Sequence, residues 1–167
     1  MPPADQPRVD VPADPRDLPG QFRHRRAIEV RFADTDAMGH VNNATYLTYF
    51  EIARASYYRD VTGGMFGIGP ASAEASLILA EARVTYRRPA VFGEELTVES
   101  RVASIGRSSF TMEHRITADD SDLGRCRLVA VASFVLVSYA YDREAVVPVP
   151  DALVERFEAW EGRRLRA

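Results

Sequence analysis

Two carboxylates one residue apart, Asp34 and Asp36, precede His40, Asn42 and Asn43, and Glu51 follows further on. A well-placed carboxylate attacks an electrophilic carbon or takes a proton from water. Imidazole changes charge near neutral pH. On spacing alone each residue also has a plainer role. The run ADTDAMGHVNN has the composition of a turn, and Asp36 suits an Asx-turn that only shapes the loop. Asp34, two residues earlier in the register, reads as a structural residue of that turn. Asn42 or Asn43 is placed to cap a helix. Glu51 stands three residues before Arg54, the spacing of an ion pair on one helix face.

The remaining candidates are weaker. His114 shares an apolar strand face with Met112 and Ile116 and reads as a packing residue. His24 reads as an exposed tail residue. Arg87, Arg88 and Arg107 flank strand ends, where guanidinium groups can hold phosphates. Cys126 lies in a strand and reads as packing. No G-x-S-x-G elbow occurs, which disfavours an α/β-hydrolase. Walker A and dinucleotide glycine motifs are absent, as are C-x-x-C and H-E-x-x-H metal spacings. No metal site or cofactor is expected.

These residues need elements to position them. From Arg26 to Ala33, Ile28, Val30 and Phe32 alternate with Ala27, Glu29 and Arg31, so the period predicts a strand. A helix is expected from about Ala44 to Val61, stopped at Gly63-Gly64. Tyr46, Leu47, Tyr49, Phe50, Ile52, Ala53, Tyr57 and Tyr58 cover most of it, so it should be largely buried, with a polar line of Thr48, Glu51 and Arg59. Met65 to Ala75 reads as a loop. Four long strands follow: Ser76 to Arg88, Glu95 to Ser104, Arg107 to Ala118 and Arg125 to Tyr139, the last the most apolar and expected to be central. A turn is expected at Ala118 to Gly124, and a short amphipathic helix at Pro150 to Trp160. The order fits an α+β fold, one antiparallel sheet around one helix.

The chain has 167 residues, which suits one domain with a core of its own. Net charge is −3, so no strong basic field points to nucleic acid. One cysteine excludes an intrachain disulfide and suits a reducing cytoplasm. No apolar run is long enough to span a bilayer, and no signal core stands at the N-terminus. Five prolines before Leu18 and a sixth at Pro19 mark residues 1–24 as a disordered or loosely docked extension, leaving 25–167 as the folded domain.

Two stretches carry a family resemblance. The run RFADTDAMGHVNNATYLTYFEIAR, Arg31 to Arg54, and the run YRRPAVFGEELTV, Tyr86 to Val98, resemble acyl-CoA thioesterases of the hotdog superfamily, the 4-hydroxybenzoyl-CoA thioesterase-like group. The turn IGRSSF, Ile105 to Phe110, fits as well. The resemblance covers roughly residues 26–140. It implies a hotdog fold and hydrolysis of an acyl-CoA or acyl-carrier thioester. It also implies a homodimer or homotetramer with the active site between protomers, without cofactor, membrane or nucleic acid. Asp36, the second Asp of the D-x-D turn, matches the family's catalytic carboxylate. The backbone amide of Asn43, at the helix start, matches its oxyanion donor, in keeping with the partial positive charge there. His40 and Glu51 join as secondary catalytic candidates, and Tyr46, Arg88 and Arg107 as substrate-binding candidates. Two rivals are a hotdog hydratase or dehydratase using Asp36 with His40 on an enoyl thioester, and a non-catalytic acyl-thioester-binding protein.

Overall fold

The computed structural model describes residues 18, 20–63, 76–120 and 125–166. Most of the proline-rich extension, the Met65 to Ala75 loop and residues 121–124 of the expected turn lie outside the described residues.

Strand β1 spans His24–Glu29, and a 3-10 turn follows at Phe32–Asp34. Helix α1 is Thr45–Thr62. Strands β2, Ser76–Tyr86, β3, Glu95–Ile105, β4, Ser109–Asp120, and β5, Arg125–Ala140, are followed by a two-residue β6, Ala145–Val146. Helix α2, Asp151–Glu161, completes the order. The strands form one antiparallel sheet in the order β1-β3-β4-β5-β2, with β6 on β5. This is the expected hotdog arrangement, a long sheet against one helix. The most apolar strand, β5, is interior, but β4 holds the middle place.

Alternation in the long strands decides which face meets α1. Leu96, Val98, Val102, Met112, Ile116, Phe134 and Leu136 are buried in one core with Tyr46, Tyr49, Phe50, Ala53 and Tyr57 of the helix. Thr48, Glu51 and Arg59 are exposed as the sequence suggests, and Leu47 and Ile52 share that open face. The helix ends where Gly63 takes a left-handed conformation and donates its N–H to the Arg59 carbonyl. No described helix is long and apolar enough to cross a membrane.

Four sequence expectations need correction. Cys126 lies on β5 as expected but is exposed near the strand's start and does not pack in the core. Strand β1 stops at Glu29, so Phe32 does not point inward. It sits in the 3-10 turn, 75% exposed, its ring edge-on to Phe92. His24 is 3% exposed, packs edge-on to Tyr57, and places Nε2 3.3 Å from the Asp60 carboxylate. The first helical turn has no Asn cap: Ala44 is the N-cap residue, without a side-chain bond.

His114 is buried as expected, between the rings of Phe50 and Phe134, with Nδ1 2.8 Å from the Ser100 hydroxyl. Burial, and then the charges of Arg54 and His24, lower its pKa from 6.5 to about 3. The folded state therefore holds it neutral where the unfolded chain is protonated. Its contribution to stability is complete above about pH 6.5 and is lost as pH falls towards 3. We expect the variant His114→Gln, which retains a polar partner for Ser100, to show a shallower loss of stability across that window in urea titrations run at several pH values.

Candidate active site

The Asp36 turn is built from its own backbone. The Gly39 N–H donates to the Asp36 carbonyl at 2.9 Å, and the Asp36 N–H donates to the His40 carbonyl at 2.9 Å. Gly39 has φ +77°, a conformation that side chains resist, so the sharp reversal depends on glycine there. Oδ1 of Asp36 accepts the Met38 N–H at 2.8 Å, which is the Asx-turn of the plainer reading. Oδ2 has no donor among the described residues, and the side chain is exposed in the single protomer. One carboxylate oxygen fixes the turn and the other is open for chemistry.

Asp34 anchors this turn to the fold. Its Oδ2 accepts the Arg31 N–H and Nε at 3.0 and 3.1 Å, and Oδ1 accepts Arg31 Nη2 at 2.7 Å. The Tyr49 hydroxyl of α1 donates to Oδ2 at 2.9 Å. The Arg31 guanidinium lowers the Asp34 pKa to about 2 against the opposing effect of burial, aided by the Arg31 amide and Tyr49. Burial, and then Asp34, push the Tyr49 hydroxyl above its ordinary range, so it stays protonated and donates. The structural reading of Asp34 thus holds.

The second sequence patch supplies the floor. Thr35 and Val41 bridge across the turn, His40 bridges Val91, and the Val41 N–H donates to the Ala90 carbonyl at 2.8 Å. Val30 exchanges bonds with Gly93 and Glu94. The Glu94 side chain closes its own turn on the Val91 N–H and pairs with Arg127 of β5. The two family-like stretches are therefore the two sides of one docked turn.

Helix α1 begins directly beside it. The Asn42 N–H donates to the Asp34 carbonyl, and the Asn42 carbonyl accepts the Thr45 N–H, each at 2.9 Å. Asn42 Oδ1 accepts the Ala44 N–H at 2.9 Å. The Tyr86 hydroxyl donates to the Asn43 carbonyl at 2.8 Å. Among the described residues the Asn43 N–H meets no acceptor. It is an uncommitted donor between the held amides of Asn42 and Ala44, and uncommitted amides at a helix start favour negative charge.

The other candidates spread out. His40 lends its backbone to the turn and leaves its imidazole exposed. Glu51 is 61% exposed and pairs with Arg54, the plainer alternative. Eight residues of helix put it roughly 12 Å along the axis from Asn43. Tyr46 is buried, edge-on to Tyr49 and Tyr86. It packs beneath the site and presents little surface to a ligand. Arg88 is exposed two residues before Ala90, near the docked turn. Arg107 is not brought there. It stands at the far end of β3, a strand roughly 35 Å long by its rise, and lines a cleft of about 590 Å³ with Val149, Pro150 and Arg166. Sequence reasoning missed Arg31, Tyr49 and Tyr86. A buried tyrosine requires a partner for its hydroxyl, and that requirement was the available signal for Tyr49. Among the described residues no group of three or more His, Cys, Asp or Glu is placed to hold a metal ion.

Comparison with known proteins gives a consistent result. The sequence profile of the thioesterase-like superfamily matches residues 30–157. A solved thioesterase complexed with coenzyme A and zinc, from Thermus thermophilus, is 36% identical with a TM-score of 0.69, over 86% of this chain and 98% of that one. The uncharacterized protein YsmA of Bacillus subtilis is 29% identical over 93 residues, 56% of this chain and 60% of that protein. The putative acyl-CoA thioesterase YneP of the same organism is 25% identical over 125 residues, 75% of this chain and 84% of that protein.

Proposed function

Because the chain belongs to the thioesterase-like superfamily, and is on that ground a thioester hydrolase, we propose that it splits an acyl-CoA into free acid and CoA thiol, with Asp36 as the central catalytic group. The observation that carries this reading is the pairing of an open carboxylate oxygen with an open amide on one braced turn: Asp36 Oδ2 on one side, the Asn43 N–H on the other.

In this reading the thioester carbonyl accepts the Asn43 N–H, which stabilises negative charge as the carbonyl becomes tetrahedral. A positioned donor of this type contributes about 3 kcal/mol. Asp36 either attacks the carbonyl carbon or takes a proton from the attacking water. The carbon–sulfur bond breaks and CoA leaves as the thiol. Where Asp36 attacks, water then cleaves the acyl–aspartyl anhydride to release the acid and restore the carboxylate. Where Asp36 acts as base, the oxygen of water passes directly to the acid. In this reading Arg88, exposed near the docked turn, holds CoA phosphate. We assign the protein to the cytoplasm, where its lone cysteine stays reduced.

The site is open on one protomer, ringed by exposed Phe32, Met38, Leu47 and Phe92. We propose that a second copy covers it, so that the working enzyme is a homodimer or a tetramer of such pairs. Thiol release measured across a panel of aliphatic and aromatic acyl-CoAs and acyl-carrier thioesters tests the function. Turnover of at least one acyl-CoA is expected. Tight acyl-CoA binding without thiol release from any of them, or hydration of an enoyl-CoA instead, would overturn it.

A further inference from the structure

We propose that Tyr86 is a positioning residue for the oxyanion-binding amide, acting from a different strand and without touching the substrate's reacting atoms. The inference rests on the thioesterase reading above.

Tyr86 is the last residue of β2 and is fixed from both sides. It pairs with Ala130 of β5, and the next two amides, of Arg87 and Arg88, both donate to the Val129 carbonyl. Its ring stands edge-on to Tyr46, with 5.2 Å between centroids, and Tyr46 is buried against Tyr49 in the core. From this rigid strand end the hydroxyl reaches the Asn43 carbonyl, 43 residues earlier in the chain.

The target of that bond is what gives it consequence. The Asn43 carbonyl belongs to the peptide unit whose N–H, of Ala44, is taken by Asn42 Oδ1. The preceding peptide unit, which carries the Asn43 N–H, is held through the Asn42 carbonyl by the Thr45 N–H. Asn42 and Thr45 are local partners within the turn and move with it. The Asp36 end of the turn is docked through Asp34, Val41 and His40, and Tyr86 is the side chain that reaches the Asn43 peptide from the sheet. Without its hydroxyl the turn keeps its shape and that docking, but the Asn43 peptide loses its direct tether to β2. An amide that binds a developing oxyanion works only when preorganised, because reorganisation at the moment of reaction costs rate. Tyr86 therefore acts on the transition state more than on binding.

The variant Tyr86→Phe removes one oxygen and keeps the ring packing on Tyr46, so it is expected to fold. We expect kcat to fall about ten-fold with KM changed less than about three-fold, a fraction of the loss on deleting an oxyanion donor outright. A lower Tm with unchanged kcat per folded molecule would mean a structural role only. A second readout uses the Asp36→Asn variant with a ¹³C=O-labelled acyl-CoA bound, followed by difference infrared spectroscopy. Donation from the Asn43 amide lowers the carbonyl stretch relative to free substrate, and adding Tyr86→Phe should move the band back towards the free value. If Asp36→Asn still turns over at the wild-type rate, or its bound carbonyl is unshifted, the underlying reading of the site fails. If the band is shifted but identical with and without the Tyr86 hydroxyl, that reading stands and the role of Tyr86 is overturned.

Discussion

Asp36→Asn is expected to lower thiol release by about 10³-fold or more, the range for loss of a positioned general base or nucleophile. The substitution retains the oxygen that accepts the Met38 N–H, so the Asx-turn and the position of Gly39 should survive. Only the open second oxygen loses its charge and basicity. That separation makes the variant informative: a purely turn-shaping aspartate would tolerate asparagine, one of the residues such turns favour. The measurement is kcat with a good acyl-CoA, beside a thermal melt and a size-exclusion profile that should match the wild type. Wild-type turnover in this variant would exclude Asp36 from the chemistry. A single turnover in ¹⁸O water divides the two routes. Attack by Asp36, with water opening the anhydride at the aspartyl carbonyl, delivers an unlabelled Asp36 oxygen to the first acid released and label to the enzyme, whereas activation of water delivers label to the acid at once and leaves Asp36 unlabelled.

Asp34→Ala should cost about 2–3 kcal/mol of stability, because it strands the buried Tyr49 hydroxyl and the bonds of Arg31. The figure falls below that for a fully buried pair because the Arg31 side chain is 72% exposed and regains water. For a domain of this size the expected fall in Tm is about 4–12 °C. On the proposed function activity should drop as well, since Asp34 ties the Asp36 turn to α1. Acid should act in the same direction. The folded pKa of Asp34 is depressed from 3.8 to about 2, so its contribution is complete above about pH 4 and lost as pH falls towards 2. A double-mutant cycle with Tyr49→Phe checks the assignment. The two losses should combine to less than their sum, and strict additivity would mean that the hydroxyl and carboxylate do not cooperate.

The fold was legible because its signals are periodic. Buried aromatics around α1 and alternation in β3, β4 and β5 each leave one arrangement that hides the apolar faces. The candidate site was legible only in part. Asx-turns and helix caps use the same Asn and Asp chemistry, so Asn42 reads as a cap although it stands two residues before the N-cap residue Ala44 and its side chain braces the turn. Phe32 continues an alternating pattern, but the Arg31–Asp34 bonds bend the chain into a 3-10 turn and override it. Arg107 looks equivalent to Arg88 along the sequence, and only strand direction sends the two towards opposite ends of the sheet. His24 looks like a tail residue because nothing local marks Asp60 and Tyr57 as its neighbours. The bond from Tyr86 to Asn43 joins segments that only the sheet brings together.

The carboxylate of Glu161, at the end of α2, accepts the Tyr57 hydroxyl at 2.6 Å and the Val102 N–H at 3.0 Å, beside the β-bulge of β3. Tyr57 and Glu161 are 104 residues apart in the chain. At roughly 5–20 residues per second of synthesis, the Tyr57 hydroxyl waits some 5–20 s for that partner to be made. Over that interval the end of α1 that packs on Phe157 and Trp160 lacks its cover. The seam between α1 and α2 at Tyr57 thus closes only after Glu161 has been made.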